Sequence, residues 1–324
     1  MGPAASVKQQ KANILGWKLE SANSLSVLYG AKPTLEVRPM AFYMADSKIS
    51  YQDARLDYQQ ASRCEAYTIV GADALTMLAV DDSGVVRAAV YYPFEATHPN
   101  DLASLRGVLQ SDDVFRLHFR NHFCAVFHPR LTLVPQRLFD ADHLNAYFNL
   151  LLSENSMEYG HVPIPEMDCV AVFANRTEEL ELCKQLSSRP TVPHLGPALL
   201  RAAQYTAPRD ATSVFLNVRN RTAQVAVFDR QMLLFYNVVQ FESGEDLVYY
   251  ILLLYDQFRL NALKSPLIIA GNVASDDEAL RQLRTYIAHV SFAVAPEKLQ
   301  FPEVSPAVPE HFFFELISLR HFGR

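Results

Sequence analysis

The stretch Thr212–Asn272 reads TSVFLNVRNRTAQVAVFDRQMLLFYNVVQFESGEDLVYYILLLYDQFRLNALKSPLIIAGN. Three short runs come first: Val214–Val218, Ala223–Phe228 and Leu233–Phe241. They alternate at period two, as strands do, and the polar breaks between them, Arg219–Arg221 and Asp229–Gln231, have the length of hairpin turns. Ser243 with Asp246 three residues on is close to a capping box and opens a long helix. A buried strand, Leu267–Ala270, follows and ends in Gly271.

Working outward, the first half of the chain has the same order. Tyr67–Val70, Leu75–Val80 and Val85–Tyr92 make a second meander, with Asp81-Asp82-Ser83-Gly84 as a turn. A helix is expected over Asp101–Gln110 and a strand over His122–Phe127. Then come a short extended piece, Leu131–Pro135, and a helix Ala141–Leu152 capped by Asp140. A Pro-rich turn, His161–Pro165, and a buried strand, Cys169–Ala174, follow. Thr177 is expected to cap a helix through Leu186; Pro190–Pro193 is extended, and Gly196-Pro197 starts a helix to Tyr205. Sliding the chain by about 148 residues lays Tyr67 on Phe215 and Ala79-Val80-Asp81 on Val227-Phe228-Asp229. The order of elements predicts an α/β protein with a duplicated ribonuclease-H-like, actin/hexokinase/Hsp70-type two-domain fold. The domains are expected over 44–207 and 208–324, divided at Pro208-Arg209-Asp210. Residues 1–43 lack a sustained period and are expected to be a disordered tail or a mis-assigned start.

Composition narrows the function classes. The 324 residues are 50% hydrophobic and 20% charged, with a net charge of −6, so no basic footprint for nucleic acid is present. No apolar run approaches the roughly 18–20 residues of a membrane span, so direct membrane insertion is not expected. The four cysteines show no CxxC spacing and read as small buried hydrophobes of a reducing, cytoplasmic compartment. His118, His122 and His128 flank a strand rather than sharing a helical face, which argues against a metal site. Gly-x-Ser-x-Gly, Walker and dinucleotide fingerprints are absent. Asp73 shows no partner carboxylates for two-metal nuclease chemistry. The apolar tail His311–Leu319 is expected to dock on the second half or to pair with a partner.

Several motifs in sequence order carry a resemblance. They are Val134-Pro135…Leu138-Phe139-Asp140, Tyr159…Ile164-Pro165, Val170–Asn175, Pro197–Ala202, the Phe215–Phe228 hairpin and Phe241…Ser243-Gly244-Glu245-Asp246-Leu247. In that order they resemble the actin-like pilus-assembly ATPases. Tyr51-Gln52-Asp53, Leu133-Val134-Pro135 and Gly244–Tyr250 bring the chain closer to an uncharacterised bacterial family with the same fold and no assigned activity. The resemblance covers about residues 50 to 295. It implies a nucleotide cleft in which two hairpin turns hold phosphates, each with an Asp and, two residues on, a Gly that leaves main chain bare. The matching positions in the second half are Asn217 and Arg219; in the first half Ile69 stands where the acid belongs, beside Gly71-Ala72-Asp73. Arg219 reads either as a solvated turn residue or as a phosphate clamp. Ser243 and Gly244 could hold an anion, but Glu245 and Asp246 oppose one. Gly271 lies where the family lets a base rest on the main chain.

The expected cofactor-binding set is therefore Asn217, Arg219, Ser243, Gly244 and Gly271, in a degenerate cleft. No cofactor is expected, with ATP and Mg²⁺ as the alternative. The pilus-type resemblance implies a protein or short-peptide partner held by the first domain. Two function classes stay open: a non-catalytic binding or assembly module, and a nucleotide-binding ATPase or kinase. A structural oligomer is a third.

Overall fold

The computed structural model describes residues 48–71, 73–94, 103–148, 157–301 and 309–323. The expected tail 1–43 lies outside them, as do the last four residues of the 141–152 helix and the start of the 101–110 helix.

Three sheets carry the architecture. The first contains β1 (Ile49–Gln52), β2 (Glu65–Gly71), β3 (Ala74–Val80), β4 (Val86–Pro93) and β5 (Asn121–Phe127), in the order β1-β4-β3-β2-β5. A second sheet is formed later in the chain. Between them sits a three-stranded antiparallel insertion of β6 (Leu131–Pro135), β7 (Met157–Ile164) and β8 (Cys169–Arg176), in the order β6-β8-β7. The second sheet holds β9 (Thr212–Arg219), β10 (Thr222–Asp229), β11 (Met232–Gln240), β12 (Leu267–Gly271) and β13 (Val290–Phe292), in the order β11-β10-β9-β12-β13. Besides a single turn at Tyr58–Ala61, the α-helices of the described residues in chain order are α1 (Ala103–Ser111), α2 (Thr177–Leu186), α3 (Gly196–Thr206), α4 (Gly244–Gln257), α5 (Glu278–Tyr286) and α6 (Phe314–Phe322).

The duplication holds at the level of register. β4-β3-β2-β5 and β11-β10-β9-β12 share one topology, antiparallel through the hairpins and parallel at β2–β5 and β9–β12. Tyr67 faces Leu78 in the first hairpin as Phe215 faces Ala226 in the second, so both strands of each pair obey the same shift. The position taken by β13 in the second sheet is taken in the first by an extended segment. There Val192 N–H donates to Cys124 O at 2.9 Å and Leu195 N–H to Val126 O at 2.8 Å. α3 and α6 follow these two positions and pack on each other. The fold is the duplicated ribonuclease-H-like one.

Hydrophobic burial explains the layering. Val214, Leu216, Val218, Val225 and Val227 point into a core closed by Leu247, Ile251 and Leu254 of α4. The opposite face of the same hairpin, through Phe215, Ala226 and Phe228, joins a larger core with Tyr67, Ile69 and Leu78 of the first sheet and Phe314 and Ile317 of α6. Burying each of the large side chains contributes about 1.5–3 kcal/mol. Both faces of β9 and β10 are therefore covered, and the alternation in their sequence marks two different cores rather than core and solvent. The Arg230-Gln231 turn has φ of 50° and 69°, the twisted two-residue geometry that matches a hairpin. Tertiary bonds hold it, from Arg230 N–H to Ala211 O and from Gln204 Nε2 to Gln231 O.

Four local expectations are corrected. His161–Pro165 is not simply a turn: its residues through Ile164 belong to β7, and Pro163 is tolerated because β7 is the edge of its sheet. Ala141–Tyr147 is a 3₁₀ segment broken at His143, although Asp140 does cap it by accepting from Asp142 N–H. Arg176, not Thr177, occupies the N-cap of α2. The tail does not simply dock on the second half. Gln300 pairs with the start of β4, and α6 packs on α3 and the first sheet as well as on β12.

Three histidines around β5 are buried. His122 Nε2 bonds Thr68 Oγ1 at 2.8 Å; His128 Nδ1 accepts from Arg130 N–H; His194 accepts from Gly196 N–H at Nδ1, so its Nε2–H donates to His128 O. Burial pushes their pKa values down, to about 4 for His122 and His194 and about 3 for His128. The folded protein thus refuses protons that the unfolded chain accepts below its ordinary His pKa of about 6.5. Stability is expected to be full above that pH and to fall from there towards pH 4, each histidine removing about 1.4 kcal/mol per pH unit. Urea unfolding at pH 7.5, 6 and 5 measures this; an unchanged midpoint across the series contradicts it.

Candidate functional site

The hairpin turns of the two sheets meet, and one side chain joins them. Arg219 ends β9 and is 2% exposed. Its Nε donates to Asp73 Oδ1 at 3.1 Å, its Nη2 to Ala74 O at 2.8 Å and its Nη1 to Glu315 Oε2 at 2.7 Å. The guanidinium also lies 5.0 Å from the centre of the Phe127 ring. Asp73 belongs to the β2–β3 turn, Glu315 to the first turn of α6, and Arg219 to the second sheet. Burial works against the guanidinium charge, but the carboxylates of Asp73 and Glu315 outweigh it and hold its pKa above the usual arginine range.

Asn217, two residues earlier on the same face, donates from Nδ2 to Glu315 Oε1 at 2.7 Å. Gly71 supplies the bare main chain against which the guanidinium rests: a Cβ there would stand 3.3 Å from Arg219 Nη2 and 2.7 Å from Asp73 Oδ1. As packed, the free surface of Gly71 meets an arginine. Gly271 has φ of 87°, and a Cβ would come within 2.0 Å of Val218 O and 2.9 Å of Asn217 Oδ1. Its bareness serves a close crossing of β12 and β9. Ile69 packs in the core shared by the two sheets. Asp73 Oδ2 and Asn217 Oδ1 have no hydrogen-bond partner among the described residues.

A second set of bonds ties the same turns together. Asn220, in the left-handed region at φ 48°, donates to Asp73 O at 2.7 Å and accepts from Tyr91 Oη at 2.6 Å. Asn272 Nδ2 donates to Tyr91 Oη at 2.7 Å. His311 Nε2 bonds Val273 O at 2.9 Å while its ring stacks on Phe292 at 3.7 Å.

Asn217, Arg219 and Gly271 are thus brought together. Ser243 and Gly244 do another job. Ser243 Oγ accepts from Asp246 N–H and Asp246 Oδ2 accepts from Ser243 N–H, a reciprocal cap that occupies the first turn of α4. Arg219 is neither solvated nor open to solvent as a clamp. Sequence reasoning missed Asp73 and Glu315 as its partners; the signal was the pair of polar residues on the alternate face of β9, opposite charges elsewhere in the chain. No group of three or more His, Cys, Asp or Glu suited to a metal ion occurs among the described residues.

A groove of about 550 Å³ lies on the first sheet's side of the molecule. It is lined by the extended segment Arg189–His194, by Val162 of β7, by Pro197, Ala198 and Arg201 of α3, and by Phe123 and Phe322. Arg201 is paired with Glu166, and Arg189 Nε donates to Asn121 Oδ1 at 2.8 Å. The lining is mostly apolar, with the side chains of Arg189 and Arg201 among it. No helix of the described residues is long and apolar enough to cross a membrane.

Removing one member of the buried cluster is expected to cost about 3–5 kcal/mol, because its partners stay buried and charged. Glu315→Ala should show this in urea unfolding. The double change Arg219→Met, Glu315→Leu should cost clearly less than the sum of its parts. A Glu315→Ala protein within 1 kcal/mol of the parent would mean the cluster contributes little.

Comparison with known proteins agrees with this fold. Among solved structures, a Bacteroides thetaiotaomicron protein with an actin-like ATPase fold and unknown function is 16% identical, with a TM-score of 0.62 over 73% of this chain and 93% of that one. The PilM–PilN type IV pilus biogenesis complex contains a chain 14% identical, with a TM-score of 0.55 over 79% of this chain and 98% of that one. At these identities the likeness shows the fold, which is the actin-like ATPase fold. No curated protein matches. Residues 53–290 match the model of a family described as a protein of unknown function, and the chain belongs to that family, DUF3822.

Proposed function

We propose that the protein is a non-catalytic actin-like binding module whose nucleotide site is degenerate and whose groove receives a short extended peptide of another protein. The observation that carries this reading is Arg219, buried where the two hairpins meet and held by Asp73 and Glu315. A triphosphate and its metal ion need bare main chain and free carboxylates at that point. Here Gly71 faces a guanidinium and both carboxylates are engaged by it. The residues as arranged do not fit that cofactor.

The peptide reading is supported by the groove's largely apolar lining and by Arg189 within it, while Arg201 is held by Glu166. A solved neighbour of the same fold, PilM, is in a complex with PilN, which makes a protein partner a natural use of this architecture. The partner's peptide would lie extended, with apolar side chains towards Val162, Val192 and Phe322 and an acid towards Arg189. A cytoplasmic setting with no nucleic-acid role fits the net charge of −6.

Two measurements test the reading. Thermal melting with Mg-ATP is expected to show no shift, whereas a nucleotide present at 100 times its dissociation constant would add about 2.7 kcal/mol. A clear rise in melting temperature would favour the ATPase or kinase alternative. Peptide display against the protein is expected to enrich acidic-apolar sequences that bind at least about tenfold more weakly to Val162→Asp, a loss of about 1.4 kcal/mol. Enriched peptides indifferent to that change would remove the groove as the site.

A further inference from the structure

The insertion of β6, β7 and β8 leaves the first sheet after β5 and returns through α2. At that root two thiols touch. Cys124 Sγ–H of β5 points at Cys183 Sγ of α2 at 2.7 Å, and both residues are fully buried. They are 59 positions apart, and the whole three-stranded insertion lies between them. Cys64 and Cys169 are buried elsewhere, so the four cysteines divide into one touching pair and two others.

We infer that Cys124 and Cys183 are a modification site: a thiol pair that closes into a reversible disulfide and staples the insertion to the first sheet. The placement favours this in three ways. The sulfurs already approach each other from a strand and a helix, so closure needs only a small further approach to the roughly 2.05 Å of a bond. Cys183 lies in the last turn of α2, and Ser187 just beyond it donates from Oγ to His122 O at 2.8 Å, so this end of the helix is held against β5 beside the two sulfurs. The surroundings, Val70, Leu105, Val126 and Leu180, are apolar, and a disulfide is better suited to them than two thiols.

The chemistry balances with a small-molecule disulfide as oxidant. One protein thiolate attacks a sulfur of that disulfide, whose S–S bond breaks and releases one small thiol. The second protein thiol attacks the mixed disulfide and releases the other. Two protein thiols lose two electrons and two protons, both of which leave on the released thiols. Burial raises the Cys124 pKa, which disfavours its thiolate and makes the exchange slow without changing its end point.

Closure also affects the groove. Cys124 O accepts from Val192 N–H, and Phe123 is its neighbour in β5, so the staple anchors two residues that line the groove.

The test uses the full-length protein. It is equilibrated with oxidised glutathione until the thiol count stops changing, then alkylated under denaturing conditions. Two of the four thiols should be lost, and a proteolytic digest should yield one cross-linked species joining the peptides of Cys124 and Cys183, two hydrogens lighter than their sum. The oxidised protein should melt about 5–10 °C higher than the reduced one. Cys64→Ala with Cys169→Ala should leave the cross-link intact, whereas Cys183→Ala should abolish it. Four alkylated thiols, a glutathione adduct without a cross-link, or a cross-link to Cys64 or Cys169 would each overturn the inference. The wild-type mapping stands by itself if a variant does not fold.

Discussion

A buried arginine between two carboxylates governs how this molecule closes. Arg219 comes from the second sheet, Asp73 from a turn of the first and Glu315 from the tail helix, so three parts of the chain that are far apart in sequence must come together before the charge is neutralised. A lone guanidinium at 2% exposure would be prohibitive, and a half-formed cluster would be worse than none. The cluster therefore selects a single arrangement of sheets and tail more strongly than it stabilises it. The supporting bonds through Asn220, Tyr91 and Asn272 act in the same place and towards the same end.

The fold was legible because its signals are local. The period-two runs in Thr212–Phe241 and the reciprocal Ser243–Asp246 cap need no knowledge of the rest of the chain. The shift of Tyr67 onto Phe215 proved to be a shift of register in both hairpins. The site was less legible because its signals are not local. Asn217, Arg219 and Gln224 occupy the polar alternate positions of β9 and β10, which in an ordinary hairpin would face water. Here all three are buried: Asn217 and Arg219 meet Glu315 of the tail helix, and Gln224 accepts from Tyr236 Oη. A turn arginine cannot be told from a buried one until the element that covers it is known, and that element is a helix nearly a hundred residues away in sequence.

The insertion was misread for a similar reason. Pro163 and Pro165 argue for a turn when taken alone, yet a proline costs an edge strand little when its missing N–H would have faced outward. The extended Pro190–Pro193 segment was read correctly as extended, but its partner, β5, fixes its meaning: it is the fifth strand position of the first sheet and part of the groove's lining. Both segments lie at edges, where backbone hydrogen bonds that sequence patterns do not encode decide the assignment.

One element connects the buried cluster and the groove. α6 carries Glu315 in its first turn and Phe322 in its last, and the first residue binds Arg219 while the second lines the groove. Seven residues of helix span about 10 Å and transmit displacement as a rigid rod. A ligand in the groove that moved Phe322 would therefore pull on the carboxylate that neutralises Arg219. The reverse also holds, since thermodynamic coupling between two sites is reciprocal. Glu315 thus supplies, from the chain's own tail, the negative charge that holds Arg219, while Phe322 of the same helix lines the groove.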